Sequence, residues 1–351
     1  MMDKTKEAQH APRKRKTWTT WLKRALGGLL ALAVVLSLAG LIYQATASRS
    51  DRRAHAPPGK LVDVGDRRLH ITCSGSGAPT VVLEAALGET WISWSSVFEN
   101  IAAFTRVCAY DRAGLGWSDP ARGRRTSGQV ADDLHRLLEG AAVPGPYVLV
   151  GHSIGGVYVR AYAERYPDDV AGLVLLDASH DQQTSRMPPE IGAGLRSLNQ
   201  FLTVCRLLSP FGVPRIAEFH GRVARSTPLS PDDQETYLAT MNRTGFCRGL
   251  QNDLATTRGA TSREDPPSDL GDLPLVVMTA GKRMSEADPA ELPPGVDAEV
   301  AEEADETWMA LQRELAELSS NGEWVVAEES GHYPQYDQPR MVVQVIKVMV
   351  E

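Results

Sequence analysis

The chain beyond residue 60 is predicted to fold as an α/β protein, with a mainly parallel sheet covered by helices. Three observations lead there. Short apolar, β-branched runs alternate with stretches at helical spacing. The strand-like run 147–150 (YVLV) passes directly into Gly151-His152-Ser153-Ile154-Gly155 and on into a helical segment. Residues 181–268 break the alternation with Pro, polar residues and short apolar patches, which reads as a helical insertion between two strands. No internal repeat is visible.

Composition fits a folded chain. The 351 residues are 42% hydrophobic and 23% charged, too apolar for disorder, and 30 Gly with 22 Pro are too few for a low-complexity protein. The length admits two or three domains, or one large α/β domain carrying an insertion. Four cysteines are too few for a disulfide scaffold, and a net charge of −7 argues against a general nucleic-acid binder. The charge is uneven: residues 1–24 carry +6, leaving −13 on the rest.

Taken in order, residues 1–24 read as a basic cytoplasmic tail and 25–43 as a transmembrane helix or signal anchor. The latter are 19 residues without a charge, about 28 Å of helix against a hydrocarbon core of roughly 30 Å. Arg13, Lys14, Arg15, Lys16, Lys23 and Arg24 precede the run, so the positive-inside rule keeps that end in the cytoplasm and sends the rest outward. Trp18, Trp21 and Tyr43 are placed for the two interfaces. A cleaved signal peptide is the competing reading, since Ala45-Thr46-Ala47 has the form of a cleavage site, and a buried soluble helix is a third. The run exceeds the ~7–15 residues of a usual signal core, which favours the anchor. Residues 44–59 read as a polar, Pro-containing linker.

The core is assigned to 60–180 and 269–351, and a helical cap to 181–268. Residues 61–64 and 69–73 form an opening antiparallel pair joined through Gly65-Asp66. Strands follow at 80–83 (TVVL), 106–110 (RVCAY), 147–150, 171–176 (AGLVLL), 275–279 (LVVMT) and 324–327. Helices lie around 92–103, 127–140 and 154–166, the last stopped at Tyr166-Pro167. Trp308, Leu311, Leu315 and Leu318 share one face of a helix near 300–318, and 338–350 closes the chain as a helix.

The strand–GHSIG–helix arrangement meets the requirements of a nucleophile elbow. So tight a turn needs glycine on both sides of the serine. It lifts the Ser153 hydroxyl above the sheet edge at a helix N-terminus, where N–H groups face a developing negative charge. A serine hydroxyl needs a base. His332, in Ser330-Gly331-His332-Tyr333-Pro334, follows the last strand, in the order nucleophile first, histidine last. His10, His55 and His70 precede the elbow, His152 adjoins the serine but should point elsewhere, and His180 and His220 lie in or beside the insertion.

On these motifs residues 61–348 resemble a serine hydrolase of the α/β-hydrolase fold, a mainly parallel eight-stranded sheet. Asp111-Arg112-Ala113-Gly114-Leu115-Gly116-Trp117-Ser118 is similar to the D-x-x-G-x-G-x-S turn after that family's fourth strand, and implies a turn-fixing role for Asp111. The resemblance also implies an oxyanion hole from the backbone N–H of Ile154 and, aligned on TVVL, of Leu87. Here Glu84-Ala85-Ala86-Leu87-Gly88 departs from the His-Gly often found at that place. The acid is the open position. The usual G-x-x-D after LVVMT reads Gly281-Lys282-Arg283-Met284, so the aspartate is absent. Asp177, ending AGLVLL, is one candidate, Glu286 or Asp288 after a short loop insertion the other, and no functional acid the third reading.

The resemblance places strands two and four side by side, so Cys73–Cys108 is a reasonable disulfide. Cys205–Cys247 would staple the cap, against free thiols in both places. Phe201, Leu202, Leu207, Leu208, Phe211 and Phe246 either line an acyl pocket or pack the cap itself. No C-x-x-C, H-E-x-x-H, phosphate loop or dinucleotide fingerprint appears, so neither metal nor cofactor is expected. The implied function is hydrolysis of a small-molecule carboxylic ester outside the cytoplasm through an acyl-enzyme. Thioesterase, peptidase, acyltransferase or perhydrolase chemistry would use the same residues. A serine nucleophile argues against the epoxide hydrolases and haloalkane dehalogenases of this fold, which use an aspartate. The rival class is a catalytically inactive, surface-tethered binding module.

Overall fold

A computed structural model describes residues 17–121, 123, 125–221, 229–261, 268–290 and 292–351. Arg13, Lys14, Arg15 and Lys16 of the expected tail, and 222–228 and 262–267 of the expected cap, lie outside the described residues. Eight strands form one sheet: β1 (Lys60–Asp63), β2 (Arg68–Ser74), β3 (Thr80–Glu84), β4 (Val107–Tyr110), β5 (Tyr147–His152), β6 (Val170–Leu176), β7 (Leu275–Ala280) and β8 (Gly322–Ala327). Their order is β1-β2-β4-β3-β5-β6-β7-β8. The two pairings that involve β2 are antiparallel and the rest parallel.

The central strands are apolar along most of their length, with Val and Leu prominent, as suits a sheet covered on both faces. Along β3, Val81 and Leu83 point to one side and Val82 to the other, and all three are buried. The first side is covered by α2 (Ser95–Ala102) and by α9 (Pro339–Val350), through Val97, Phe98, Ile101, Val342 and Ile346. The second is covered by α3 (Ser127–Gly140), α4 (Gly155–Arg165) and α8 (Ala298–Ala316), through Leu134, Leu137, Val159, Tyr162 and Leu315. Each such aliphatic side chain contributes about 1.5–3 kcal/mol when fully buried. Thr126 and Gln129 close a capping box at the start of α3. Cys73 and Cys108 face each other across β2 and β4 and are joined as a disulfide.

Between β6 and β7 the chain folds as helices: α5 (Ala193–Leu208), α6 (Pro231–Met241) and α7 (Phe246–Ala260). They share a core of their own, with Leu202, Tyr237, Met241, Phe246 and Leu254 buried together, and Cys205–Cys247 joins α5 to α7. His220 stands 4.0 and 3.8 Å from the two sulfurs. These three residues are grouped closely enough to hold a metal, but both sulfurs are spent on each other.

One boundary differs from the sequence reading. Helix α1 runs over Thr17–Ala54 without a break, so 44–54 are helix and not linker. The segment is rich in Ala and Arg, and no proline follows it until Pro57. It is also held from outside. Gln44 and Ser48 are buried, and the Gln44 amide donates to the Asn242 carbonyl at 2.8 Å. The helix is long and apolar enough to cross a membrane, and most of its apolar stretch is left uncovered by the rest of the protein.

Candidate active site

Strands β5 and β6 run parallel in register, with His152 opposite Leu176. The next residue on each strand, Ser153 and Asp177, therefore leaves the sheet side by side. Both have left-handed backbones, φ +54° and +41°. A non-glycine residue held there costs about 1–3 kcal/mol, which the surroundings must offset. They do so with backbone hydrogen bonds: Ser153 N–H donates to the Leu176 carbonyl (3.0 Å), Ser179 N–H to the Ser153 carbonyl (2.9 Å) and Asp177 N–H to the Met278 carbonyl (2.7 Å). The flanking glycines are sterically required. A Cβ on Gly151 would come within 2.6 Å of the Gly155 carbonyl, and one on Gly155 would overlap the Glu84 carbonyl oxygen.

His332 reaches this point from the loop after β8. Its Nε2 lies 3.1 Å from Ser153 Oγ and its Nδ1 2.7 Å from Asp177 Oδ2. Asp177 is almost fully buried while the imidazole is 43% exposed, so the far side of the histidine stays open. The second carboxylate oxygen accepts from Ala280 N–H (3.0 Å), at the end of β7, and from the Trp308 indole N–H (2.9 Å), on α8. Burial alone would raise the Asp177 pKa. The hydrogen bond and charge of His332, with the Trp308 and Ala280 donors, outweigh it and hold the carboxyl below its ordinary value. Burial likewise works against charge on His332, but the hydrogen bond and charge of Asp177, with Glu89 beyond, raise the imidazole above its ordinary value.

His152 does point away from the serine side chain. It is fully buried, and its Nε2 donates to the His332 carbonyl at 2.6 Å, which pins the histidine loop to the end of β5. Its Nδ1 accepts from the Gln335 amide at 3.2 Å. Glu89, 3.8 Å away, is too far for a hydrogen bond.

Opposite the histidine, the turn after β3 carries Leu87. Its side chain packs with Ile154, Val157 and Tyr158. Among the described residues neither the Leu87 nor the Ile154 N–H has an acceptor within the fold. The turn is held by a residue that sequence reasoning passed over. Arg112 is buried and donates to the Ala85 and Ala86 carbonyls at 2.6 Å, to Glu84 at 2.5 Å and to Asp253 at 2.8 Å. Asp253, from α7, also accepts from Gly88 N–H at 2.8 Å. Burial opposes the Arg112 charge, but the two carboxylates outweigh it and keep the guanidinium firmly protonated. Its signal was present in Asp111-Arg112, inside the matched turn, but the partners are separated from it by 28 and 141 residues.

Asp111 itself does not reach the serine. It is buried and accepts from Trp91 N–H and Trp117 N–H, both at 2.9 Å, and pairs with His70 at 2.8 Å. Glu286 and Asp288 are exposed in the loop after β7 and make no contact with His332. Asp288 accepts from Ala290 N–H instead. His180 is buried beside Arg160 and Arg186, and burial with the nearby Arg160 charge pushes it down to about 4.

A cavity of about 460 Å³ lies under the insertion, bounded by Leu87, Gly88 and Glu89 on the core side and by Tyr333 beside the histidine. Phe201, Leu202 and Phe246 line it, as do Leu198, Tyr237, Met241 and Leu250. Leu207, Leu208 and Phe211 do not. The first two are exposed, and Phe211 sits against α1.

The sequence model of the Alpha/beta hydrolase family matches residues 71–345. The chain is 26% identical to the uncharacterized protein YqjL of Bacillus subtilis, over 76% of this chain and 82% of that one. It spans 20% of a probable transporter from Hormonema carpetanum and 60% of an uncharacterized protein from Schizosaccharomyces pombe, so those relatives are longer. Among solved structures it resembles an esterase of Thermogutta terrifontis (22% identity, TM-score 0.54, 80% of this chain and 92% of that). It also resembles an alpha/beta hydrolase from Nostoc sp PCC 7120, described as putative (17% identity, TM-score 0.63, 83% and 96%).

Proposed function

The chain belongs to the alpha/beta hydrolase family, and from that premise we propose that it is a serine hydrolase cleaving a carboxylic ester. One observation carries the reading: Asp177, His332 and Ser153 stand in a continuous hydrogen-bonded line, 2.7 and 3.1 Å apart, on a strained elbow. The esterase resemblance supports the fold side of it.

In this reading His332 Nε2 takes the Ser153 proton as Oγ attacks the acyl carbon. The Leu87 and Ile154 N–H groups, which have no acceptor of their own, hold the oxyanion. Asp177 keeps the proton on Nδ1, so that Nε2 is the basic nitrogen, and stabilises the imidazolium as it forms. His332 then returns the proton to the leaving alkoxide, and the alcohol departs. Water, deprotonated by the same nitrogen, attacks the acyl-serine and releases the acid. No metal or cofactor enters these steps. The apolar cavity between the Leu87 turn and the insertion suits the acyl chain.

The helix α1 is read as the membrane anchor, with its N-terminus cytoplasmic and the hydrolase domain outside. The paired cysteines suit an oxidising compartment. An inactive binding module is the weaker reading, because its support was a missing acid and Asp177 stands at the histidine.

The test uses the full chain in detergent with p-nitrophenyl esters from C2 to C16 and a serine-directed phosphonate. Turnover and labelling that both vanish in Ser153→Ala are expected. Ester turnover that survives Ser153→Ala, or no turnover and no labelling in the unaltered chain, would sink the proposal.

A further inference from the structure

The apolar residues of the cap do not all face inward. Leu207 and Ile216 are each 66% exposed and Val204 54%, and Leu208 and Val213 are exposed at 37% and 39%. They occupy the end of α5 and the single helical turn Val213–Ile216, on either side of the turn Ser209–Phe211.

That turn is the seat of α1. Gly40 comes so close that an added Cβ would lie 2.6 Å from the Phe211 carbonyl oxygen, and a Cβ on Gly212 would lie 2.9 Å from the Tyr43 ring. Farther along, Gln44 donates to the Asn242 carbonyl and Asp51 pairs with Arg215 at 2.6 Å. Gly40 and Tyr43 belong to the uncharged run 25–43. The contact therefore sets the height of the cap: Ser209–Phe211 stands level with the last turn of that run. Because α1 is unbroken from Thr17 to Ala54, no hinge separates the run from the part gripped by the cap. Arg206, exposed among the aliphatic residues, is placed to carry its charge among lipid headgroups.

We propose that this face of the cap rests in the interface of the same bilayer that α1 crosses, and that the ester substrate is drawn from that leaflet. The inference rests on reading α1 as a membrane span. Helix α5 turns Leu198, Phe201 and Leu202 to the cavity and Val204, Leu207 and Leu208 to the lipid, so an acyl chain leaving the leaflet follows one helix into the pocket.

The four native cysteines are paired, so an introduced thiol is the sole site for a fluorophore. The full chain in phosphatidylcholine vesicles would be labelled at Val35→Cys, Leu207→Cys, Ile216→Cys or Glu299→Cys. Brominated lipid is expected to quench labels at 35, 207 and 216 and to spare 299. Quenching at 35 alone overturns the docked cap and leaves the span standing. No quenching at 35 removes the span and the inference with it. A blue-shifted but unquenched label at 207 and 216 means that a second copy covers the face, which also overturns the proposal.

A second arm reads turnover. The double substitution Leu207→Asp, Ile216→Asp is expected to lower hydrolysis of vesicle-borne p-nitrophenyl palmitate by about tenfold and leave soluble p-nitrophenyl butyrate within about twofold. Equal loss on both esters, or no loss on either, overturns it. An unaltered chain inactive on both esters would sink the serine-hydrolase reading, and the quenching result would still decide the docking.

Discussion

The two sides of Ser153 are built in different ways. On the histidine side, one side chain is held by another: Asp177 orients His332, and a Trp308 indole and an Ala280 N–H hold Asp177. On the proposed oxyanion side the working groups would be backbone, and one buried cation grips the peptide before Leu87: Arg112 binds the Ala85 and Ala86 carbonyls and two carboxylates. A side-chain relay is specific in residue type and tolerant of local sequence. A backbone donor tolerates its own side chain and depends on whatever holds the chain still. In the proposed mechanism Leu87 can therefore supply its N–H without the His-Gly expected at that place. By the same argument Arg112, which touches no substrate in the proposed mechanism, should still matter to turnover.

Damage on the two sides should therefore look different. The largest effect is expected at Asp177→Asn. The proposed relay loses the group that fixes the imidazole tautomer, and kcat should fall by about 10⁴, with near-normal thermal stability. Glu286→Gln and Asp288→Asn should leave kcat unchanged in the same assay. If either of these abolishes turnover while Asp177→Asn does not, the two sides have been assigned wrongly.

Arg112→Met should act through the fold. Two carboxylates, Glu84 and Asp253, would be left buried without their cation, a change worth about 3–5 kcal/mol in a urea melt. Loss of a well-placed oxyanion donor adds about 10²–10³ in kcat. Unchanged stability would show that the cation does not hold the turn. Trp308→Phe keeps an aromatic side chain and removes one donor to Asp177. A hydrogen bond to a charged group is worth about 1.5–3 kcal/mol, so a loss of at least about tenfold in kcat is expected, with KM unchanged.

The smallest effect is in the pH profile. His332 must be neutral to accept the serine proton, and Asp177 raises its pKa. The acid limb of kcat/KM should therefore lie above the ordinary histidine value of about 6.5, with activity rising as pH passes through it. In Asp177→Asn the main raising influence is gone, only Glu89 is left to oppose the burial, and the limb should move to lower pH. A limb that stays in place would place the coupling elsewhere.

Much of the core was legible because its signals are local. Val81, Val82 and Leu83 read as a strand, and they form one that is buried on both faces. The sequence around Ser153 specifies strand, turn and helix within a dozen residues. Other residues were opaque for a common reason. Trp308 falls on the apolar face of its helix and reads as core, yet its indole N–H is spent on Asp177, 131 residues away. Asp253 looks like any polar residue of a cap helix until Arg112 comes to it. Leu207 and Leu208 were candidates for a pocket lining and point outward, because helical periodicity tells which residues share a face but not what the face meets. The 44–54 segment reads as linker on polarity alone, and as a helix it is held by Gln44 and Asp51, which have partners on the cap.

By itself the sequence determined the α/β core, the serine at its turn and the apolar helix at the front, each written in neighbouring residues whose spacing matches a backbone period. Only the tertiary structure decided which carboxylate meets His332, what holds the Leu87 turn and where the second half of α1 goes. Each of those depends on groups brought together across more than a hundred residues, or from separate elements. Strand register and helix packing, which no local pattern encodes, set the distances between them.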